Sequence, residues 1–365
     1  MPYPLIDVLR AVAALLVLSH HAIVLGSLQV LPGSLWSFPL RSGWVGVDLF
    51  LVISGFVITL SAARERERNP EAFRWPFMQR RLRRVVPLYA LTCVVFLFLV
   101  RPELLQMEPL LLLRQVVSHA LFVQNLSPAT HGFINGVTWS LALEMQFYVA
   151  LILCIGMLLR LGALRALLLL IGTAWAWRYG TTFFLIPGEA NAHMQVIYTT
   201  ELPGTLDAFG VGIAMALTVF KGQGFAANRM KPGWCNFVLW LTAAIVFLGL
   251  AAAILLPRGD YWAIPGMVIF WRTLLAIGCG AALGAAITCP LRGGGLLRPV
   301  RYLGQISYGM YLWHLPILAV LLMQPELRGE RLYAILLACT ILLSAISWQW
   351  VEKPWIKARK LSEVS

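Results

Sequence analysis

The chain has 365 residues, of which 59% are hydrophobic and 12% are charged, and its mean hydropathy is +0.77. A soluble domain usually contains about 45–50% apolar and about 25% charged residues, so this chain has too little polar surface for a soluble fold. Its apolar runs recur near the length of about 20 residues that crosses a bilayer as a helix. The sequence therefore predicts an all-α, polytopic membrane helix bundle.

The hydropathy pattern predicts ten membrane-spanning helices. The first lacks the basic start and the small-residue cleavage site of a secretory signal, so we expect it to be retained. The segment 109–123 is apolar but contains Arg114 and His119, and we interpret it as an interfacial or re-entrant piece. The predicted spans are 5–25, 43–62, 85–100, 138–158, 164–180, 204–220, 236–256, 266–287, 303–323 and 332–350.

The distribution of Lys and Arg predicts which side of the membrane each loop faces. With the N-terminus in the cytoplasm, 20 of the 29 basic residues fall in inner segments and seven in outer segments, while Arg10 and Arg272 lie within spans. This excess is the positive-inside asymmetry of membrane proteins, and it predicts that both termini are cytoplasmic. It also accounts for the net charge of +13, so we expect no nucleic-acid partner.

The first predicted span carries ionisable residues despite its apolar character. Arg10 and His21 are eleven residues apart, which in an α-helix places them within about 20° of one face and about 16 Å apart along the axis. Asp7 lies one turn before Arg10 and is positioned to pair with it. Such a polar stripe must face protein or water, because lipid offers it no partners.

Other predicted spans also contain ionisable residues. At 1.5 Å per residue, His314 falls near the middle of the membrane. Three more fall roughly 6–9 Å toward the outer side of the midplane, at the depth of His21: Asp48, Glu144 and Arg272. A base candidate, two carboxylates and an arginine could therefore converge in one functional site. The alternative is that these residues form ion pairs that hold the bundle together.

A basic cluster, FMQRRLRRVVPLY, occupies residues 77–89 at the start of the third predicted span. Its Arg81 and Arg84 are three residues apart and are therefore neighbours on a helix surface. Arginine suits phosphate because its planar guanidinium binds two oxygens at once, so the pair is a candidate phosphate clamp. The alternative is a stop-transfer cluster that acts on topology alone.

The six cysteines show no Cys-x-x-Cys pair and no spacing typical of metal ligands. We expect them to pack as small apolar residues, and we expect no metal site. No G-x-S-x-G nucleophile elbow surrounds Ser54 or Ser307, so the sequence does not predict a serine nucleophile of that kind.

Several stretches together resemble one known family. The first four are DVLRAVAALLVLSHH with Arg10 and His21, GVDLFLVISGFVIT, RRLRRVVPLY with Arg81 and Arg84, and TWSLALEMQFYV with Glu144. The later LGQISYGMYLWHLP and VEKPW are similar to the family's last two spans. On these motifs, in this order, the sequence is identified as a member of the acyltransferase 3 family. Its members are integral membrane enzymes that transfer acyl groups, mostly acetyl, to bacterial surface glycans and related acceptors.

The resemblance implies a membrane O-acyltransferase of the bacterial inner (cytoplasmic) membrane. The acyl group, most often acetyl from acetyl-CoA, would move to a hydroxyl of a cell-surface carbohydrate or glycolipid. It implies one membrane domain over 1–355, a short tail over 356–365, and no extracytoplasmic SGNH-type domain. The match is thinnest between about 160 and 300, where the basic residue that often precedes an Asp in the family is missing from PGTLDAFG, around Asp207.

The resemblance and the chemistry of the side chains also suggest roles for individual residues. Arg81 and Arg84 would bind the phosphates of CoA at the cytoplasmic face. His21 would act as general base on the acceptor hydroxyl. Alternatively, His21 would itself carry the acetyl group during transfer.

Further residues would assist His21. Asp48 or Glu144 would orient its imidazole, as a carboxylate does in a catalytic triad. Arg10 or Arg272 would stabilise developing negative charge. The alternative function is a proton-coupled secondary transporter, because buried acidic and basic residues also suit proton transport. Transporters often consist of two related halves with interrupted helices, and no such halves are visible in this sequence.

Overall fold

A computed structural model describes residues 3–26, 38–185, 192–257, 261–262, 264–291 and 295–357. Within these ranges the chain is almost entirely helical and has no β-strand, which confirms the predicted all-α class. The helices of eight or more residues are α1 (Leu5–Gly26), α2 (Gly46–Arg68), α3 (Arg74–Val95), α4 (Pro109–Ala120), α5 (Trp139–Leu161), α6 (Ala163–Gly180), α7 (Ala192–Thr199), α8 (Leu206–Lys221), α9 (Trp234–Leu255), α10 (Arg272–Thr288), α11 (Arg298–Gln305), α12 (Ser307–Leu322) and α13 (Gly329–Ser347).

Shorter helical pieces extend or connect these helices. Several long helices begin or end with a five-residue π-helical turn, which extends the helix without interrupting it. These turns are Phe96–Val100, Thr181–Leu185, Met267–Trp271 and Trp348–Glu352. Three further α-helical pieces are Phe38–Arg41, Gly224–Asn228 and Lys353–Lys357.

In the described part of the chain, eight helices are long and apolar enough to span a membrane, counted with their extensions. A ninth candidate is the pair α11 and α12, whose segments meet at a bend of 57°. The remaining predicted span, 164–180, is helix α6, but Arg165 and Arg178 reduce its hydropathy. Eight or nine apolar spans are therefore present where the sequence predicts ten. The chain is a multi-pass membrane protein.

Helix α4 is too short to cross a bilayer. Its 12 residues rise only about 18 Å, against about 30 Å of hydrocarbon. Its polar Gln115 and His119 are buried, whereas Leu110, Leu113 and Val117 are exposed. An apolar outer face and a polar inner face are what a helix in contact with lipid requires, in agreement with the interfacial or re-entrant piece predicted here.

Helix α2 packs against α1, α5, α8 and α10 and thereby occupies the middle of the bundle. At its crossing with α8, a methyl group added at Gly55 would collide with the carbonyl of Phe209, and one added at Gly212 would collide with that of Val52. These two glycines allow the helices to approach closely. Helices α2, α8 and α10 are mostly buried, while α9 and α13 expose most of their apolar surface. The polar groups of α2 are consequently held inside the protein.

Candidate active site

Two histidines that are far apart in sequence contact each other inside the bundle. His314 Nε2 on α12 lies 3.1 Å from His21 Nδ1 on α1, and the ring centroids are 5.0 Å apart. His314 is 1% exposed, and His21 is half-buried. The pair forms because α1 and α12 pack side by side. The predicted base candidate therefore has a buried imidazole as its neighbour.

Hydrogen bonds determine which nitrogens of this histidine pair carry protons when both rings are neutral. His314 Nδ1 lies 3.2 Å from the carbonyl oxygen of Met310, and His21 Nδ1 lies 3.0 Å from that of Val17. Carbonyl oxygens only accept hydrogen bonds, so each Nδ1 carries a proton. His314 Nε2 is then bare and accepts from His21 Nδ1–H. This arrangement leaves a free lone pair on His21 Nε2, as a general base requires.

A cavity of about 70 Å³ lies between α1, α2, α5 and α12. It has room for a handful of water molecules, since one water needs about 10–15 Å³. Its polar lining combines one arginine, one carboxylate and several hydroxyl groups. These are Arg10, Ser54, Ser140, Glu144, Ser307, Tyr308 and Tyr311. The structure therefore brings two predicted site residues, Arg10 and Glu144, into one cavity.

Hydrogen bonds connect the polar groups that line this cavity. Ser54 Oγ donates to Glu144 Oε1 at 2.7 Å. The hydroxyls of Ser140 and Tyr311 are 2.6 Å apart, and the Tyr311 hydroxyl donates to the Val137 carbonyl at 3.0 Å. The Tyr311 ring lies 5.9 Å from the ring of His314. Tyr311 thus connects the cavity to the histidine pair.

Arg10 lies in the cavity without a full set of partners. Its Nε is buried and has no hydrogen-bond partner. Its closest charged neighbours include Arg84, Glu144 and Asp7. The rise of about 16 Å along α1 separates it from His21, so the two residues occupy different levels of the site.

Asp48 belongs to a different buried cluster. Its Oδ1 lies 3.8 Å from Nε of Arg272 on α10, and the Arg272 guanidinium lies 5.4 Å from the ring centroid of Trp44. Neither charged residue is among the described residues that line the cavity. The reason is helical geometry, because Asp48 and Ser54 are about 120° apart around α2. The four groups expected at one depth are therefore divided between two clusters.

A third buried cluster supplies the basic partner that the sequence around Asp207 lacks. Arg178 on α6 is 1% exposed, and its Nη2 donates to Asp207 Oδ1 at 2.6 Å. Its other nitrogens donate to the carbonyls of Gly204 and Ile269. Thr273 donates to the second carboxylate oxygen at 2.6 Å. Both charges are fully bonded, so this cluster fastens α6, α8 and α10 together.

Arg81 and Arg84 lie on α3, as expected for neighbours on a helix. Arg81 Nη2 donates to Ser61 Oγ at 3.2 Å, and its guanidinium lies 5.2 Å from the ring centroid of Phe77. Arg84 is an electrostatic neighbour of both Arg81 and Arg10. The basic cluster therefore reaches from the end of α2 toward the cavity.

Glu352 is a site candidate that the sequence reasoning missed. It is fully buried in the π-helical turn after α13, and neither carboxylate oxygen has a hydrogen-bond partner. Its nearest charges are Arg84 and Arg10. The available signal was an acidic residue within the motif VEKPW. His314 was visible in the sequence, but its partner was not.

A third histidine lies outside the spans, in the loop before α5. The His131 ring stacks on Trp139 with centroids 5.9 Å apart, and the His193 ring lies 6.1 Å away. Burial, together with the nearby charge of His193, lowers the pKa of His131 to about 4. Within the described ranges no three metal-ligating residues lie close enough to hold an ion.

Fold and site together define a class: a multi-pass helical membrane protein with an internal polar cavity beside an oriented histidine pair. A family model described as an acyltransferase domain matches residues 3–350. The chain therefore belongs to the acyltransferase 3 family, as its motifs indicated. No solved protein structure matches it.

Curated bacterial proteins also match over most of this chain. YrhL of Bacillus subtilis is 29% identical over 377 residues, covering 96% of this chain and 54% of YrhL. The peptidoglycan O-acetyltransferase OatA of Listeria monocytogenes is 26% identical over 377 residues, covering 96% and 55%. The O-acetyltransferase OatA of Staphylococcus aureus is 25% identical over 388 residues, covering 96% and 57%. The chain thus spans just over half the length of these relatives.

Proposed function

We propose that this protein is an O-acetyltransferase of the bacterial cytoplasmic membrane. It moves acetyl from acetyl-CoA to a hydroxyl of a cell-surface carbohydrate, and peptidoglycan is the first acceptor to test because a relative is named for it. The observation that carries the proposal is the oriented His21–His314 pair beside a polar cavity, in a chain of an acyltransferase family. Both termini lie in the cytoplasm in this proposal.

His21 acts as the general base. Its Nε2 removes the proton from the acceptor hydroxyl while the hydroxyl oxygen attacks the thioester carbonyl carbon. The new C–O ester bond forms, the C–S bond breaks, and the proton passes from His21 to the leaving thiolate. His314 Nε2 accepts a hydrogen bond from His21 Nδ1–H and thereby keeps His21 Nε2 directed toward the substrate. It takes the orienting role first assigned to Asp48 or Glu144.

The donor arm occupies the cavity, with its acyl end toward the histidine pair. Arg10 and Glu144 line the cavity, and His21 does not. There Arg10 offers a hydrogen-bond donor, and Glu144 an acceptor, to the amide groups of pantetheine. The hydroxyl of Tyr311, next to His314, donates to the Val137 carbonyl at 3.0 Å, so it stabilises the oxyanion only when the oxyanion replaces that carbonyl as its acceptor. At about 70 Å³ the cavity is smaller than the roughly 300 Å³ of ligand pockets, so donor binding must widen it.

The test uses purified protein in sealed vesicles with radiolabelled acetyl-CoA and soluble peptidoglycan fragments. His21→Ala is expected to abolish transfer, lowering kcat at least about 100-fold, because general-base catalysis contributes about 10²–10⁴-fold. His20→Ala is the matched control, since this neighbouring imidazole bonds instead to the carbonyl of Arg41 at 2.7 Å. Equal transfer by both variants would remove the base assignment. Accumulation of fragments inside vesicles without acetylation would instead identify a transporter.

A further inference from the structure

A second, larger cavity opens between the start of α1, the end of α2 and the start of α3. Its volume is about 680 Å³, within the range of ligand pockets. The floor is apolar and includes Ile6 and Phe56, and the rim is basic. A basic rim around an apolar floor fits a ligand with both charged and apolar parts.

The rim carries an excess of positive charge. Arg64 and Arg68 are four residues apart on α2, so they lie on one face of the helix. Arg80 also lines the cavity and is ion-paired with Glu65, the single acidic residue among the lining residues described. Arg64 and Arg68 therefore contribute two positive charges that no lining carboxylate neutralises. Exposed guanidinium groups in this arrangement suit phosphate.

The wall of this cavity also offers an aromatic surface. The rings of Tyr3 on the N-terminal side of α1 and Phe56 on α2 have centroids 5.8 Å apart, and both residues line the cavity. Phe56 is fully buried and supports the ring of Tyr3, which is half-buried and offers a face on which a nucleobase can stack. Phosphate-binding charges and a stacking surface occur together in one pocket.

The two cavities follow one another along the same helix faces. On α2, Ser54 lines the smaller cavity, while Ser61 and Arg64 line the larger one. Ser61 follows Ser54 by seven residues and Arg64 follows Ser61 by three, and both spacings bring successive residues close to one face of the helix. The step from Ser54 to Arg64 is about 15 Å along the helix. Arg81 is a neighbour of both cavities, because it donates to Ser61 of the larger one and interacts electrostatically with Glu144 of the smaller one. A ligand with a charged head and a long thin arm matches this arrangement.

We propose that the larger cavity binds the phosphorylated nucleotide of the thioester donor, with Arg64 and Arg68 as its phosphate ligands. The inference rests on the proposed function and adds a subsite to it. The adenine stacks against Tyr3, and the pantetheine arm passes Arg81 toward the smaller cavity. In this proposal Arg64 and Arg68 take the phosphates that the sequence analysis expected Arg81 and Arg84 to bind, and the Arg81–Arg84 pair binds the part of the donor nearer the membrane.

The test compares Arg64→Gln/Arg68→Gln with Arg74→Gln/Arg83→Gln. Both double variants remove two positive charges from the same basic region, but Arg74 and Arg83 do not line the cavity. The affinity for adenosine 3′,5′-bisphosphate is measured by calorimetry in nanodiscs, and KM is measured for acetyl-CoA and for acetyl-pantetheine. The first variant is expected to lose at least tenfold in nucleotide affinity and to raise KM for acetyl-CoA as much. Its KM for acetyl-pantetheine should stay unchanged, and the control should match the wild type.

Unchanged nucleotide affinity in Arg64→Gln/Arg68→Gln would overturn the subsite. So would a loss of nucleotide affinity equal to that of the control, because the effect would then be one of general charge. Nanodiscs with and without phosphatidylglycerol distinguish a lipid headgroup site, and loss of lipid binding alone would also overturn the proposal. The proposed function fails separately, if the wild type transfers acetyl from neither donor while nucleotide binding is still measured.

Discussion

Replacement of His314 is the sharpest test of how the site holds its base. His314→Phe keeps an aromatic ring in a buried position but removes the nitrogen that accepts from His21 Nδ1–H at 3.1 Å. His314→Gln keeps a side-chain oxygen that can still accept. We expect the phenylalanine variant to lose kcat and the glutamine variant to recover part of it.

The size of the loss can be bounded from the contacts. One neutral hydrogen bond contributes about 1 kcal/mol, which corresponds to about a fivefold change in rate. The Val17 carbonyl still accepts from His21 Nδ1, so the correct tautomer is partly retained. Loss of the base altogether would cost at least about 100-fold. The kcat of His314→Phe should therefore fall by between about fivefold and about 100-fold.

The assay is steady-state acetyl transfer with separate determination of kcat and KM. A positioning role predicts a lower kcat at unchanged KM for acetyl-CoA, because His314 lies beyond the cavity that holds the donor. The double variant His21→Ala/His314→Phe should be no slower than His21→Ala, since both changes affect one base. Equal kcat for the phenylalanine and glutamine variants, or losses that multiply in the double variant, would refute the reasoning.

Three further predictions concern stability and are measured by thermal unfolding of the purified protein. Arg178→Ala leaves Asp207 buried without its partner and should cost about 3–5 kcal/mol. Gly212→Val forces α2 and α8 apart and should cost about 1–3 kcal/mol, whereas Gly249→Ala, where nothing lies within 4 Å, should be near neutral. His131 has a folded-state pKa of about 4 against an ordinary 6.5, so the unfolded chain binds more protons between these values. Stability should fall as pH drops from 6.5 to 4, and His131→Gln should reduce that fall.

Helix periodicity was enough to predict part of the site. The eleven-residue spacing that places Arg10 and His21 on one face of α1 is local, and the structure has Arg10 in the cavity and His21 in contact with His314. The non-spanning character of α4 also followed from its short apolar run and its internal charge. Such features depend on a single helix and need no knowledge of its neighbours.

The partners of these residues could not be predicted, because they depend on how helices rotate and pack. His21 and His314 are separated by 293 positions, and Arg178 and Asp207 lie on different helices. Equal depth suggested that Asp48 would join His21, but depth says nothing about direction around the helix. Asp48 faces α10 instead and forms its ion pair there with Arg272. The sequence alone could not distinguish this ion pair from a contact with His21.

Two arginines within the bundle, Arg178 and Arg10, differ in how completely they are hydrogen-bonded. Arg178 donates from Nε, Nη1 and Nη2 to fixed acceptors, so nothing is left for a substrate and its contribution is to packing. Arg10 keeps a buried Nε without a partner in a cavity that also holds Glu144. A buried donor that lacks a partner costs about 1–3 kcal/mol. Arg81 and Arg272 also have a buried Nε without a hydrogen-bond partner, so Arg10 is distinguished by this feature together with its place in the cavity. The folded protein bears this cost at Arg10, where the donor arm is proposed to bind, and avoids it at Arg178, where the helices only need to be held together.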